Sequence, residues 1–173
     1  MDVNVDIFSG FIEFLGGLSH DPIIYSIVFF IYAVAATIFL PIPVETGLFF
    51  SPETSIIIKG LILGSGKAVG SIIVFTLGDK VNNGLVNLMS RSGLTRKFLE
   101  LMQRFVARTR YYGLYAILSV PLMVDTVPLY LFSLFNQKGL MRLRYFVLTN
   151  FLAGITRASV VYLIFELLGV KLI

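Results

Sequence analysis

Four long apolar stretches, separated by short polar segments, set the pattern of this chain. They run from Ile23 to Phe50, over 54–78, from Gly113 to Phe135, and over about 145–169. At about 20 apolar residues per crossing, stretches of this length predict membrane-embedded segments. The first is interrupted by Pro41-Ile-Pro43-Val-Glu45-Thr-Gly47, and the third by Pro121 and Pro128 on either side of Asp125. Proline removes a backbone donor and clashes with the turn before it, so neither stretch can be one straight helix. The 54–78 and 145–169 stretches read as single spanning helices. Gly60, Gly64, Gly66 and Gly70 along the first of them allow close helix contact. Before all of these, Ile7, Phe8, Phe11, Phe14, Leu15 and Leu18 fall at helical spacing, which predicts an amphipathic helix lying in the interface. His20-Asp21-Pro22 then breaks the chain and starts the next helix.

Composition agrees with the pattern. The 173 residues are 57% hydrophobic and 14% charged, whereas a soluble domain carries about a quarter charged residues. Mean hydropathy is +0.88. The expected class is an all-α integral membrane protein with one membrane domain. There is no cysteine and one histidine, so disulfides, thiol catalysis and a His/Cys metal cluster are excluded, and neither metal nor cofactor is expected. The N-terminus lacks the positive region of a signal peptide and shows no lipidation motif, so the start is expected to be a mature one.

Charge position orients the segments. Lys80, Arg91, Arg96, Lys97, Arg104, Arg108 and Arg110 crowd 80–110 against Glu100 alone, while 1–22 holds Asp2, Asp6, Glu13 and Asp21 with no Lys or Arg. No nucleic-acid motif accompanies the basic cluster, and membrane segments flank it, so contact with anionic lipid head groups is expected rather than nucleic acid, with a solvated helical face as the plainer alternative. By the positive-inside rule, the basic loops 80–112 and 138–144 are both cytoplasmic. They flank 113–135, so that segment must return to the side it entered from, as a re-entrant hairpin with Asp125 near its tip. If 23–50 is also a hairpin, both termini are external. If 23–40 spans fully, the acidic N-terminus lies on the basic side, which acids tolerate.

The hairpin reading divides the chain into an interfacial helix (1–22), a first repeat (23–78), a basic helix or loop (79–112) and a second repeat (113–173). Each repeat is a re-entrant hairpin followed by a transmembrane helix. The hairpins enter from opposite sides, so the repeats are inverted, a recurring plan of transporters whose broken helices meet at mid-membrane. Each repeat also places one acid and one base deep in apolar sequence: Glu45 and Lys67, then Asp125 and Arg157. Charges there are costly and usually face a partner, a cavity or a transport path.

At these residues the chain resembles the DedA family, also called the SNARE-associated or VTT-domain superfamily. Pro41-Ile-Pro43-Val-Glu45 is similar to the family's Pro-x-Pro-x-Glu-like motif. Gly66-Lys-Ala-Val-Gly70 through Phe75-Thr-Leu-Gly78-Asp79 is similar to its Gly-rich helix, with Phe75 in place of Tyr. Ser119-Val-Pro121-Leu-Met-Val-Asp125 keeps the proline of the second hairpin but has neither of its arginines, and Phe146, Asn150 and Gly154 follow at matching places. A small multidrug-export-like family is a related alternative. The resemblance implies two re-entrant hairpins, each with a spanning helix, and movement of polyprenyl phosphate or phospholipid across the bilayer, in some members with proton dependence.

The leading expectation is therefore a multi-pass cell-membrane transporter or scramblase of a phosphate-bearing lipid, with protons as a coupling ion. Glu45, Asp125, Lys67 and Arg157 would bind substrate or protons, and Pro41, Pro43, Pro121 and Pro128 would shape the hairpin tips. Lys67 and Arg157 suit phosphate, Arg particularly through its planar fork. The plainer alternative is that Glu45–Lys67 and Asp125–Arg157 are pairs that only permit folding. Thr149, Asn150 and Thr156 could complete a polar lining but more often bond their own helix. Tyr111, Tyr112 and Tyr115 suit interfacial anchoring. Other functional alternatives are a proton-coupled exporter of small molecules or cationic drugs, and a membrane scaffold or assembly factor. Assembly into a homo-oligomer is compatible with all of these. No nucleophile motif or phosphate-binding glycine loop points to an enzyme.

Overall fold

The computed structural model describes residues 21–40, 42–51, 54–89, 93–136 and 139–168, with backbone alone at 79, 81–89 and 93–99. The amphipathic helix expected at 5–18, His20 and Pro41 lie outside the described residues. Every regular element among the described residues is helical: α1 (Pro22–Ile38), a 3-10 helix (Val44–Phe49), α2 (Ile56–Met89), α3 (Gly93–Leu118), α4 (Thr126–Leu134) and α5 (Leu143–Leu167). Two segments, Ile56–Gly78 and Leu143–Leu167, are long and apolar enough to cross a membrane.

Helix α1 starts where its sequence dictates. The Asp21 carboxylate accepts from the backbone N–H groups of Ile23 and Ile24 at 2.8 and 3.3 Å, and Pro22 supplies a first-turn residue that needs no donor. After Ile38 the chain folds back on itself. Tyr32 donates its hydroxyl to the Pro43 carbonyl at 3.0 Å, and Tyr25, two turns nearer the helix start, donates to the Gly47 carbonyl at 2.8 Å. A Cβ on Gly47 would clash with the edge of the Phe29 ring, so the close approach there favours glycine.

Helix α2 runs for 34 residues without a break, about 51 Å at 1.5 Å per residue. The sequence reading ended this helix at 78 and began a separate polar segment; instead, the apolar span continues directly into the polar one. Helix α3 differs: the basic segment and the first arm of the second fold-back are two helical stretches that meet at a break three residues before the expected start at Gly113. Its kink falls at Arg110, whose backbone is non-helical (φ 44°, ψ −132°). The chain then turns through 119–125 and returns as α4. Asn136 closes the next turn with a reciprocal pair of bonds to Met141, at 2.9 and 2.8 Å, and Gly139 there has φ 64°.

Small residues set the helix packing. A Cβ on Gly154 would lie 2.7 Å from the Gly64 Cα, so α2 and α5 touch backbone to backbone. Gly66 and Gly70 pack against Ala33 and Thr37 of α1, and Gly78 against Ser133 of α4. Two apolar clusters result. One joins Tyr25, Phe29, Val44 and Leu48 of the first fold-back to Leu63 and Ala158. The other joins Leu118, Leu129 and Phe132 of the second to Val74 and Ala153. Along α2 the gap between them holds Lys67, and along α5 it holds Arg157.

Candidate functional site

The four charges singled out from the sequence meet in that gap. Glu45, Lys67, Asp125 and Arg157 are each at most 2% exposed. Glu45 is in the first turn of the 3-10 helix, just after the first reversal, and Asp125 stands directly before α4, just after the second. The two bases come from the α2–α5 contact.

Their pairing crosses between the halves. Lys67 Nζ lies 3.2 Å from Asp125 Oδ1 and 3.1 Å from Oδ2. Arg157 Nη1 lies 3.0 Å from Asp125 Oδ1, and its Nε lies 3.3 Å from Glu45 Oε1. Of the two pairs expected within the halves, Asp125–Arg157 is present and Glu45–Lys67 is replaced by Glu45–Arg157 and Lys67–Asp125. The physical reason is the fold: the tip of the second fold-back reaches α2 and the first tip reaches α5, so each acid meets the other half's base.

Backbone groups complete part of the shell. Leu122 N–H donates to Glu45 Oε1 at 2.9 Å, Lys67 Nζ to the Leu118 carbonyl at 3.4 Å, and Arg157 Nη1 to the Met123 carbonyl at 3.1 Å. Leu122 holds φ 61°, a left-handed conformation that costs a non-glycine residue about 1–2 kcal/mol. The Glu45 contact fixes that turn from the other half of the chain. Asp125 is an apt helix cap, yet its side chain makes no capping bond and turns instead to the two cations. Glu45 Oε2 and Arg157 Nη2 remain buried with no hydrogen-bond partner among the described residues.

The prolines divide in role. Pro43 sits at the first reversal, where its carbonyl accepts from the hydroxyls of Tyr32 and Thr46 at 3.0 and 2.9 Å. Pro121 lies in the second reversal. Pro128 lies inside the first turn of α4 rather than at a tip, a position where the missing N–H breaks no helical bond. Thr149 and Asn150 bond their own helix at 2.7 and 2.9 Å, whereas Thr156 pairs with the Tyr115 hydroxyl at 2.7 Å. None of the three is bonded to the four charges.

Lys59 was not anticipated. It is 1% exposed, one turn into α2, and donates to the Leu48 carbonyl at 3.0 Å, with its Nζ 6.0 Å from the Tyr25 ring centre. Its signal in the sequence was a single lysine between Ile58 and Gly60, close enough to the Ser51-Pro52-Glu53 turn to pass as interfacial.

No family model matches the chain, and no curated protein or solved structure matches it.

Proposed function

We propose that this is a multi-pass membrane protein that moves a phosphate-bearing lipid, such as a polyprenyl phosphate or a phospholipid, across the bilayer. The observation that carries this reading is the closed set of two acids and two bases where the fold-backs and the α2–α5 contact converge. Taking four charges out of water costs several kcal/mol per ion, and packing alone would be served as well by apolar residues. Retaining them, with one carboxylate oxygen and one guanidinium nitrogen unpartnered, supports a role in binding. Arg157 Nη2 is the free donor for a phosphate oxygen. Glu45, held by one cation where Asp125 is held by two, is the better placed carboxylate for proton exchange.

In this reading α2 and α5 span the bilayer, and the two fold-backs are re-entrant hairpins whose tips meet near its middle. The ends of the molecule support the orientation. Lys80, Arg142 and Arg144 are exposed at the end where α2 passes Phe146, and Tyr111, beside the Arg110 kink, accepts from the Arg142 N–H there. Asp21 and Glu166 lie at the opposite end, where Phe49 packs on Phe165. The basic end would be cytoplasmic and in contact with anionic head groups. The cross-half pairing also supports two inverted repeats, and with them the resemblance to the DedA family.

The test is reconstitution. Purified protein in liposomes should accelerate exchange of a labelled polyprenyl phosphate or phospholipid between leaflets. Glu45→Gln or Arg157→Ala should abolish that exchange while the protein stays folded. Efflux of an organic cation driven by protons, without lipid exchange, would favour an exporter instead.

A further inference from the structure

Among the described residues the buried charges do not balance. Glu45 and Asp125 face Lys59, Lys67 and Arg157, so the interior holds three cations against two carboxylates. Both carboxylates are engaged by Lys67 and Arg157, and Lys59 pairs with neither. Of its three N–H donors, one meets the Leu48 carbonyl. Its place aggravates the imbalance. Lys59 stands in the opening turn of α2, where the unpaired backbone N–H groups already create a positive pole that favours anions and disfavours cations. A buried ammonium at that pole, offset by one carbonyl and one aromatic ring, has no counter-ion among the described residues.

The 3-10 helix links this lysine to the charge cluster. Its first turn holds Glu45 against Arg157, and near its last turn the Leu48 carbonyl holds Lys59. The bonds at its two ends, Thr46 to Pro43 and Phe50 to Gly47, are long, at 3.3 and 3.4 Å. Ser51, two residues beyond its end, holds φ 56°.

We infer that Lys59 is a second anion site, covered by the 3-10 helix, which takes a phosphate group when that helix moves aside. As a station for the transported lipid, it rests on the function proposed above; as an anion site, it rests on the charge imbalance alone. The ligand chemistry is a phosphate oxygen, from a lipid head group or from free phosphate.

Calorimetric titration of the full chain in neutral micelles, with dodecyl phosphate and separately with inorganic phosphate, tests it. The unsubstituted protein should bind dodecyl phosphate, and Lys59→Gln should remove one site or weaken it by about tenfold or more. Lys59→Arg should retain it. Lys59-dependent binding of dodecyl phosphate alone assigns a lipid head group, and of both probes the phosphate group itself. Arg157→Ala separates the two ideas: loss of transport with Lys59-dependent binding retained leaves the anion site standing. Binding that is absent, or equal in Lys59→Gln, overturns it. Absent binding together with equal destabilisation by Lys59→Gln and Glu53→Gln would assign the lysine to Glu53, six positions earlier in sequence. Should Lys59→Gln fail to fold, reductive methylation of the unsubstituted protein decides: dodecyl phosphate should slow labelling of Lys59 relative to exposed Lys80, and equal slowing would overturn the site.

Discussion

Asp125 accepts from Lys67 and Arg157 together, whereas Glu45 meets Arg157 and one backbone N–H. The two acids should therefore respond differently to neutralisation. Asp125→Ala strips a shared counter-charge from two buried cations and should cost about 3–5 kcal/mol of stability, the range for a buried pair broken on one side. Glu45→Gln keeps an acceptor for the Leu122 N–H and should cost less. Equilibrium unfolding in mixed micelles measures both, and equal losses would contradict the asymmetry. Double-mutant cycles should find coupling of about 0.5–3 kcal/mol for Lys67–Asp125 and for Glu45–Arg157. A smaller value is expected for Glu45–Lys67. At this scale the sequence exposed four of the five charges buried among the described residues, because each of the four interrupts an apolar run far from a turn. It could not show their partners, since pairing depends on which tip reaches which helix. Lys59 was hidden by its closeness to a turn.

Among the elements, the contact between α2 and α5 packs directly against the cluster, since Gly154 lies against both Gly64 and the Lys67 side chain. No side chain can yield where the opposing atoms are backbone. Gly154→Leu should force the helices apart and destabilise by about 1–3 kcal/mol or more, with loss of the folded species on gel filtration. Gly60→Ala, whose new methyl would meet the Ala158 Cβ at an ordinary 3.5 Å, should be nearly neutral. Equal tolerance at both positions would argue against this contact. The glycine spacing of α2 and the proline breaks were legible in the sequence, and so were the helix start at Pro22 and the two long apolar helices. The length of α2 and the kink at Arg110 were not. A change from apolar to polar sequence marks a change of surroundings, and α2 crosses it without stopping.

For the molecule as a whole, the arrangement sets the exposed basic residues of α2, α3 and α5 at one end and Asp21 and Glu166 at the other. Single cysteines at 104 and 144 should label from one face of an oriented membrane and those at 21 and 166 from the opposite face; labelling of 104 and 144 from opposite faces would refute the second hairpin. Between those ends, the two apolar clusters leave one polar layer, built equally from both halves. The central claim is that this layer carries the head group of a phosphate-bearing lipid. The direct measurement is leaflet exchange of labelled polyprenyl phosphate in proteoliposomes, comparing the unsubstituted protein with Arg157→Ala and with Gly60→Ala. Exchange well above protein-free vesicles, abolished by the first substitution and retained by the second, is the predicted result. Exchange no faster than in protein-free vesicles, or undiminished in folded Arg157→Ala, would contradict it.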